Sequence, residues 1–419
     1  MTRRTLSSRS VHTHFGLGGY VMDGSYARSR LRLVVAACAA FGACAGEPAG
    51  APSEGERWTL VETARIGSMD GEGTALNSVT GVAVLGDTLL VIEGDPARAA
   101  RFTRDGRWLG DFAGPGDGPG ELRRPGGIGV TDGRVWIADP SGQRLEVYTP
   151  TGQHLESIRF QVPADSLGTW ATAAALLADS SVLAAPPPVS VGGALSGRLD
   201  HQTFYRANRI GAVRGPFYVA DVVTTDFFSA SLGQGGMEIM GVHPLRESPL
   251  VAAFPDGSGV VAVERWAPAA AEDASYRVLV YAADGALGTD KSVAYTPLAG
   301  ADWLDLFLSE QEEAMSEQQD ALPMSVSEVL EPLRQLSPRA YYPPVTELVP
   351  GTDGTVWVRR ESAFRDSVDW QVLDGDGAVL ARLTTSSELA VQATSRTEVR
   401  AIETDELDVE YLVGYEVHR

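Results

Sequence analysis

Apolar and polar residues alternate in short runs along most of this chain, and the runs repeat. Residues 67–112 and 113–158 superpose without a gap on a shift of 46 positions. Leu76, Gly81, Val84, Arg98, Thr103, Gly106 and Leu109 fall in register with Leu122, Gly127, Val130, Arg144, Thr149, Gly152 and Leu155; Leu89-Leu90-Val91 is matched by Val135-Trp136-Ile137, and Phe102 by Tyr148. A period of roughly 40–50 residues marks propeller blades or solenoid units, which bury their apolar faces only against neighbours. In the second copy the alternation predicts strands over 127–130, 134–138, 144–148 and 154–160. Thr131-Asp132-Gly133, Asp139-Pro140-Ser141-Gly142 and Pro150-Thr151-Gly152 supply turns between them. In such turns Gly provides positive φ, and Asp or Pro initiates.

Weaker copies follow over about 168–224, 247–296 and 343–386. In the last of these Val356-Trp357-Val358 echoes Val135-Trp136-Ile137. A sixth, from Leu389 to Val417, stops one strand short, while Trp58 to Ile66 precedes the first copy with no local partner. Pairing that N-terminal strand with the last blade would close a ring and remove both exposed edges. The expected fold is therefore all-β, a six-bladed β-propeller of four-stranded blades. A seventh blade would have to lie in 160–245. Residues 302–336 abandon the alternation and place Leu304, Phe307 and Leu308, then Val326, Val329, Leu330 and Leu333, at helical spacing. Ser325 and Glu328 form a capping-box pattern, and Pro332 limits or kinks the second helix. This small helical insertion between blades 4 and 5 reads as a cover for strand edges or as a partner contact.

Composition narrows the class of protein. Of 419 residues 44% are hydrophobic and 21% charged, enough apolar material for a folded core. Asp and Glu outnumber Lys and Arg by 55 to 34, and the net charge of −21 opposes binding to nucleic acid or to an anionic membrane surface. Residues 1–44 read as an export leader: Arg28, Arg30 and Arg32 precede the apolar run Leu33 to Phe41, which is too short to span a bilayer. Phe41-Gly42-Ala43-Cys44 resembles a bacterial lipobox, which implies lipidation at Cys44; Val35-Ala36-Ala37-Cys38 is a second match behind a shorter apolar run. Met22 is a second candidate start beside Met1. Residues 45–56 read as a flexible linker, and 57–419 as the propeller. No Cys follows residue 44, so the body carries no disulfide.

Gly116-Asp117-Gly118-Pro119-Gly120-Glu121-Leu122-Arg123-Arg124-Pro125, followed by Val135-Trp136-Ile137-Ala138-Asp139 and Arg144-Leu145-Glu146-Val147-Tyr148, resembles an NHL-type repeat. The chain is similar above all to the bacterial six-bladed propeller lipoproteins of the NHL and TolB-like kind. That resemblance implies an exported, lipid-anchored ring, placed in the cell envelope on the periplasmic or outer-membrane side. It implies no reaction.

The residues themselves offer little assembled chemistry. Gly114 to Pro125 is glycine-rich but lacks the Gly-Lys-Ser/Thr of a phosphate loop and leads into a strand, so it reads as a crossover between blades. Asp139 with Arg144, and Glu93 with Arg98, recur with the repeat and read as paired scaffold charges. Beyond the leader only His154, His201, His243 and His418 remain, a poor supply for the three-His metal site of related lyases. Calcium-dependent lactonase propellers carry a Glu-Gly-Pro-type motif that is missing at the equivalent place. No Ser lies in a Gly-x-Ser-x-Gly elbow. Glu121, Asp226 and His243 are the candidate ligand-facing loop residues, the first two near the channel mouth and His243 ahead of Pro244. The expected function is a monomeric, non-enzymatic envelope scaffold without cofactor. It would bind an envelope protein or a small ligand, with no nucleic-acid partner. The alternative is a calcium-dependent lactonase-like hydrolase or lyase with its site in the central channel.

Overall fold

In the computed structural model six antiparallel sheets follow one another along the chain and close into a propeller. The structure describes residues 20–22 and 55–419, apart from 69–73, 164–168, 190, 198, 233–236, 244, 301–302, 317–324, 335, 337–338 and 363–365. The remainder of the expected leader and linker, with Cys38 and Cys44, lies outside the described residues.

Blade 1 consists of Val79–Leu85, Thr88–Gly94, Ala97–Thr103 and Trp108–Ala113; blade 2 of Gly127–Thr131, Arg134–Asp139, Arg144–Tyr148 and His154–Ile158. Blade 3 uses Trp170–Leu176, Val182–Ala185, His201–Ala207 and Val213–Asp221, so the weak stretch 160–245 contains one blade and not two. Blade 4 runs from Leu250–Ala253 to Leu287–Ala294 and blade 5 from Glu347–Pro350 to Val379–Ser386. Blade 6 takes Ala390–Thr394, Glu398–Thr404 and Glu410–His418 from the C-terminus and Thr59–Ile66 from the N-terminus. In that last pairing His418 lies opposite Thr59 and Leu412 opposite Ile66.

Apolar side chains from adjoining blades fill the interfaces. Between blades 1 and 2, Leu90, Ile92 and Ala99 meet Ile128, Val135 and Ile137; between blades 5 and 6, Trp357, Trp370 and Val372 meet Val391, Val399 and Ala401. The conserved spacing of glycines between the copies has a steric cause. Gly106 and Gly152, in register in the sequence, both adopt positive φ (94° and 92°) in the turn before an outermost strand. A Cβ on Gly106 would meet Ile66, and one on Gly152 would fall 2.4 Å from the Cβ of Phe112, the residue 46 positions after Ile66. Each such turn therefore lies on the outer strand of the preceding blade. Gly152→Ala adds both a strained φ and a clash, and is expected to cost about 1–3 kcal/mol in urea unfolding.

Two blades carry an additional strand. Gln161–Pro163 pairs with the innermost strand of blade 3, on the side facing the channel. Glu56–Arg57 pairs in parallel with the outermost strand of blade 5. Between that strand and blade 6 the buried Trp58 enters the blade 5–6 core, its ring 6.1 Å from Trp357. Its backbone N–H donates to Arg382 O at 2.9 Å, and the guanidinium of Arg419 lies 5.4 Å above its ring.

Because successive strands are antiparallel, connections within and between blades alternate between the two faces of the ring. Turns joining strands one to two and three to four lie on one face, termed lower. Those joining two to three, and one blade to the next, lie on the upper face. At the lower face the blade 4 turn reaches across its neighbour: Val130 N–H donates to Pro255 O at 2.8 Å and Ala178 N–H to Gly257 O at 2.9 Å. These bonds join blade 4 to blades 2 and 3 at that end.

Candidate functional site

All the large departures from the repeat emerge on the upper face. Helix α1 (Val191–Leu195) interrupts the middle of blade 3, and the hairpin Phe227–Leu232/Met237–Val242 links blade 3 to blade 4. Helices α2 (Trp303–Ser316) and α3 (Val326–Arg334) link blade 4 to blade 5. The capping box at α3 forms, with Ser325 N–H donating to Glu328 Oε2 at 2.9 Å and Glu328 N–H to Ser325 Oγ at 3.3 Å. Pro332 sits within α3 without ending it.

These excursions pack on one another. Val326, Leu330 and Leu333 of α3 form an apolar cluster with Phe307, Leu308 and Met315 of α2 and with Phe228 of the hairpin. On its other side the hairpin contributes Phe227 and Val242 to a cluster with Ala194 of α1. The two stretches where the sequence repeat fails thus form a single cap. Tyr20–Met22 adds a parallel strand to the hairpin.

Buried charge ties the cap to the ring. The Asp226 carboxylate is 0% exposed and accepts from Glu247 N–H at 2.8 Å, Ser248 N–H at 2.7 Å, Ser248 Oγ at 2.5 Å and Arg339 Nη2 at 3.1 Å. Arg339, which follows α3, also ion-pairs with Glu247. Arg265, from the end of a blade 4 strand, donates to Ser248 O at 2.7 Å and to Val345 O at 2.8 Å. Burial pushes its guanidinium down to about 10, against the pull of the nearby Asp226 and Glu247 carboxylates. One carboxylate at the base of the hairpin thereby joins hairpin, helical insertion and ring.

Of the three residues expected to face a ligand, two are brought together and both are buried. His243 is 5% exposed; its N–H donates to Asp226 O at 2.6 Å, and its Nδ1 accepts from Leu245 N–H at 3.0 Å. Asp226 and His243 therefore brace the cap and do not meet solvent, because the cap folds over their loop. Glu121 is exposed but remote, in the crossover between blades 1 and 2, where its carboxylate accepts from Gly118 N–H at 2.8 Å. Arg339, Glu247 and Arg265 escape sequence reading because each lies beyond the repeat and acquires its meaning only when two insertions meet.

The repeated ion pairs are scaffold. Asp139 pairs with Arg144 at 3.0 Å and accepts from Arg123 N–H and Arg124 N–H, while Glu93 pairs with Arg98 at 3.0 Å and accepts from Asn77 N–H at 2.6 Å. Asn77 and Arg123 are 46 positions apart, so one device pins the incoming crossover in both blades. Burial lifts the Glu93 carboxyl above the usual carboxylate range despite these donors. Arg144 further donates to the carbonyls of Gly116, Asp117, Gly118 and Glu121, which accounts for the glycine-rich crossover as a wrapped guanidinium. Beside it Glu146 Oε2 accepts from Ser157 Oγ at 2.6 Å and lies 2.8 Å from His154 Nε2. Ser157 Oγ is 3.3 Å from that same nitrogen. A relay would need Ser and acid on opposite ring nitrogens, so this trio is not a nucleophile system.

Among the described residues no three His, Cys, Asp or Glu side chains converge as metal ligands. No described helix is long and apolar enough to cross a membrane.

No protein-family model and no curated protein matches the chain. Solved structures of similar shape include a protein assigned as exported from Bacteroides fragilis, 10% identical, covering 87% of this chain and 99% of that one at a TM-score of 0.46. A member of the DUF4221 family from Bacteroides vulgatus is 12% identical, with 87% and 100% covered and a TM-score of 0.44. The PQQ-bound aldose sugar dehydrogenase of Streptomyces coelicolor is 14% identical, with 87% and 100% covered and a TM-score of 0.42. At such identities the function of this six-bladed β-propeller has to be read from its own residues.

Proposed function

We propose that this chain is an exported envelope protein, anchored by lipid at Cys44, whose propeller is a non-enzymatic scaffold that binds a protein or small ligand through the capped upper face. The observation that carries this reading is the cap itself. Two insertions far apart in sequence share an apolar core and are clamped to the ring by a fully buried carboxylate, so they present one fixed surface. Surfaces of this kind, built from loops on a rigid frame, are where propellers and other repeat scaffolds place recognition. Leu195 of α1 and Leu306 of α2 are exposed at 39% and 38%, and can be changed without disturbing the cores.

The test uses full-length protein. Cys44→Ala is expected to move it from the membrane fraction to the soluble envelope fraction; unchanged fractionation overturns lipidation there. For binding, wild type and a Leu195→Glu/Leu306→Glu variant are compared against envelope extract and a metabolite panel. Capture or a melting shift seen for wild type and lost in the variant is the expected result. No capture and no shift with wild type would overturn the scaffold reading.

A further inference from the structure

The seam where the N-terminal strand closes the ring contains a cleft of about 400 Å³ on the lower face, away from the cap. Thr63, Thr397, Glu398, Arg400 and Tyr415 of blade 6 line it, with Arg104 from a turn of blade 1. Two arginines and three acidic side chains line it, and the two arginines converge on one of the acids. Arg400 is 4% exposed, and Arg104 and Arg400 both pair with the single carboxylate of Glu398. Nε and Nη1 of Arg400 find no hydrogen-bond acceptor among the described residues. Its guanidinium lies against Gly414, where a Cβ would fall 1.9 Å from Nη1, so the strand leaves that space for the cation. Asp105 and Glu416 border the cleft, but the Asp105 carboxylate is engaged by Thr103 Oγ1 and Glu416 is solvent-exposed near His418. The Tyr415 hydroxyl donates to Glu403.

A buried cation with unmet donors is costly unless an anion or water completes it. Two guanidinium groups facing one cleft are suited to bidentate recognition of an oxyanion. We propose that the seam cleft binds a small organic anion through its carboxylate or phosphate head, held by Arg104 and Arg400 in competition with Glu398. The cleft is of a size that holds a small molecule, since ligand pockets start at roughly 300 Å³. Such a ligand would bridge the first and last blades and lock the ring.

Calorimetric titration of the full chain with sodium phosphate and, separately, sodium acetate tests this at constant ionic strength. One saturable site is expected with one of the two probes, and the responding probe identifies the head group. Glu398→Gln should tighten binding about tenfold by removing the competing carboxylate, and Arg104→Gln, on an exposed turn, should weaken it about tenfold. Anions also raise melting temperatures nonspecifically. The melting shift in wild type must therefore exceed that in Arg104→Gln; equal shifts overturn the site. Absence of saturable binding of either probe to both wild type and Glu398→Gln overturns it as well.

Discussion

Asp226→Ala is expected to destabilise the protein by about 3–5 kcal/mol and to release the cap before the ring unfolds. The carboxylate, itself 0% exposed, accepts from two backbone N–H groups, a hydroxyl and a guanidinium. Truncation removes one of the two carboxylates paired with Arg339, leaving Glu247, and takes the acceptor from the half-buried amides of Glu247 and Ser248. Asp226→Asn keeps the shape but replaces a charged acceptor by a neutral amide, so about half that loss is expected. Hydrogen exchange distinguishes the two levels: amides of 227–232, 237–242, 303–316 and 326–334 should lose protection in Asp226→Ala while those of blades 1 and 2 keep theirs. Uniform loss across all blades would show that the clamp supports the whole ring and not the cap.

Trp58→Ala should cost about 3–5 kcal/mol, the usual loss for a large aromatic removed from a core. The indole contacts Trp357, lies beneath Arg419, and donates through Nε1 to Glu56 Oε2 at 3.1 Å. Its removal opens a cavity between blades 5 and 6 and frees both termini together. Deleting residues 55–66 is the harsher change, since it exposes the edge strand Glu410–His418 and the outer edge of blade 5 at once. The expected outcome is loss of the cooperative urea transition and association through the bare edges, measurable by light scattering. A monomeric variant with an unchanged midpoint would show that the strap is dispensable.

How far the sequence could be read depended on whether neighbours in space were also neighbours in the repeat. Gly106 and Gly152, and Glu93 and Asp139, do the same work in successive copies, so a 46-residue shift exposes them. The helices over 303–316 and 326–334 were legible from apolar spacing, and Ser325 and Glu328 cap the second as the pattern requires. Gln161–Pro163 was invisible, because a three-residue strand beside the channel has no alternation to display. The cap was invisible for a different reason. Phe228 and Leu330 lie more than a hundred residues apart, and neither carries a mark of the other. Asp226 stood out as a charge in an irregular stretch, but only the folded loop shows that it faces inward. Arg104 and Arg400 belong to different blades and share no motif.

The strand that completes blade 6 is among the first parts of the propeller to be synthesised, and its partner Glu410–His418 is the last. Thr63 Oγ1 donates to Gly414 O across 351 positions of chain. No fragment emerging from a ribosome or a translocation pore can therefore make this contact until residues 410–418 have been made. Through that interval Thr59–Ile66 must wait as an unpaired strand, and its only sizeable buried or half-buried apolar groups are Leu60 and Ile66. Its solvent side is broken by Glu62 and Arg65, charges that discourage premature pairing. Timing, as much as stability, explains why the closing strand is the most exposed of its blade.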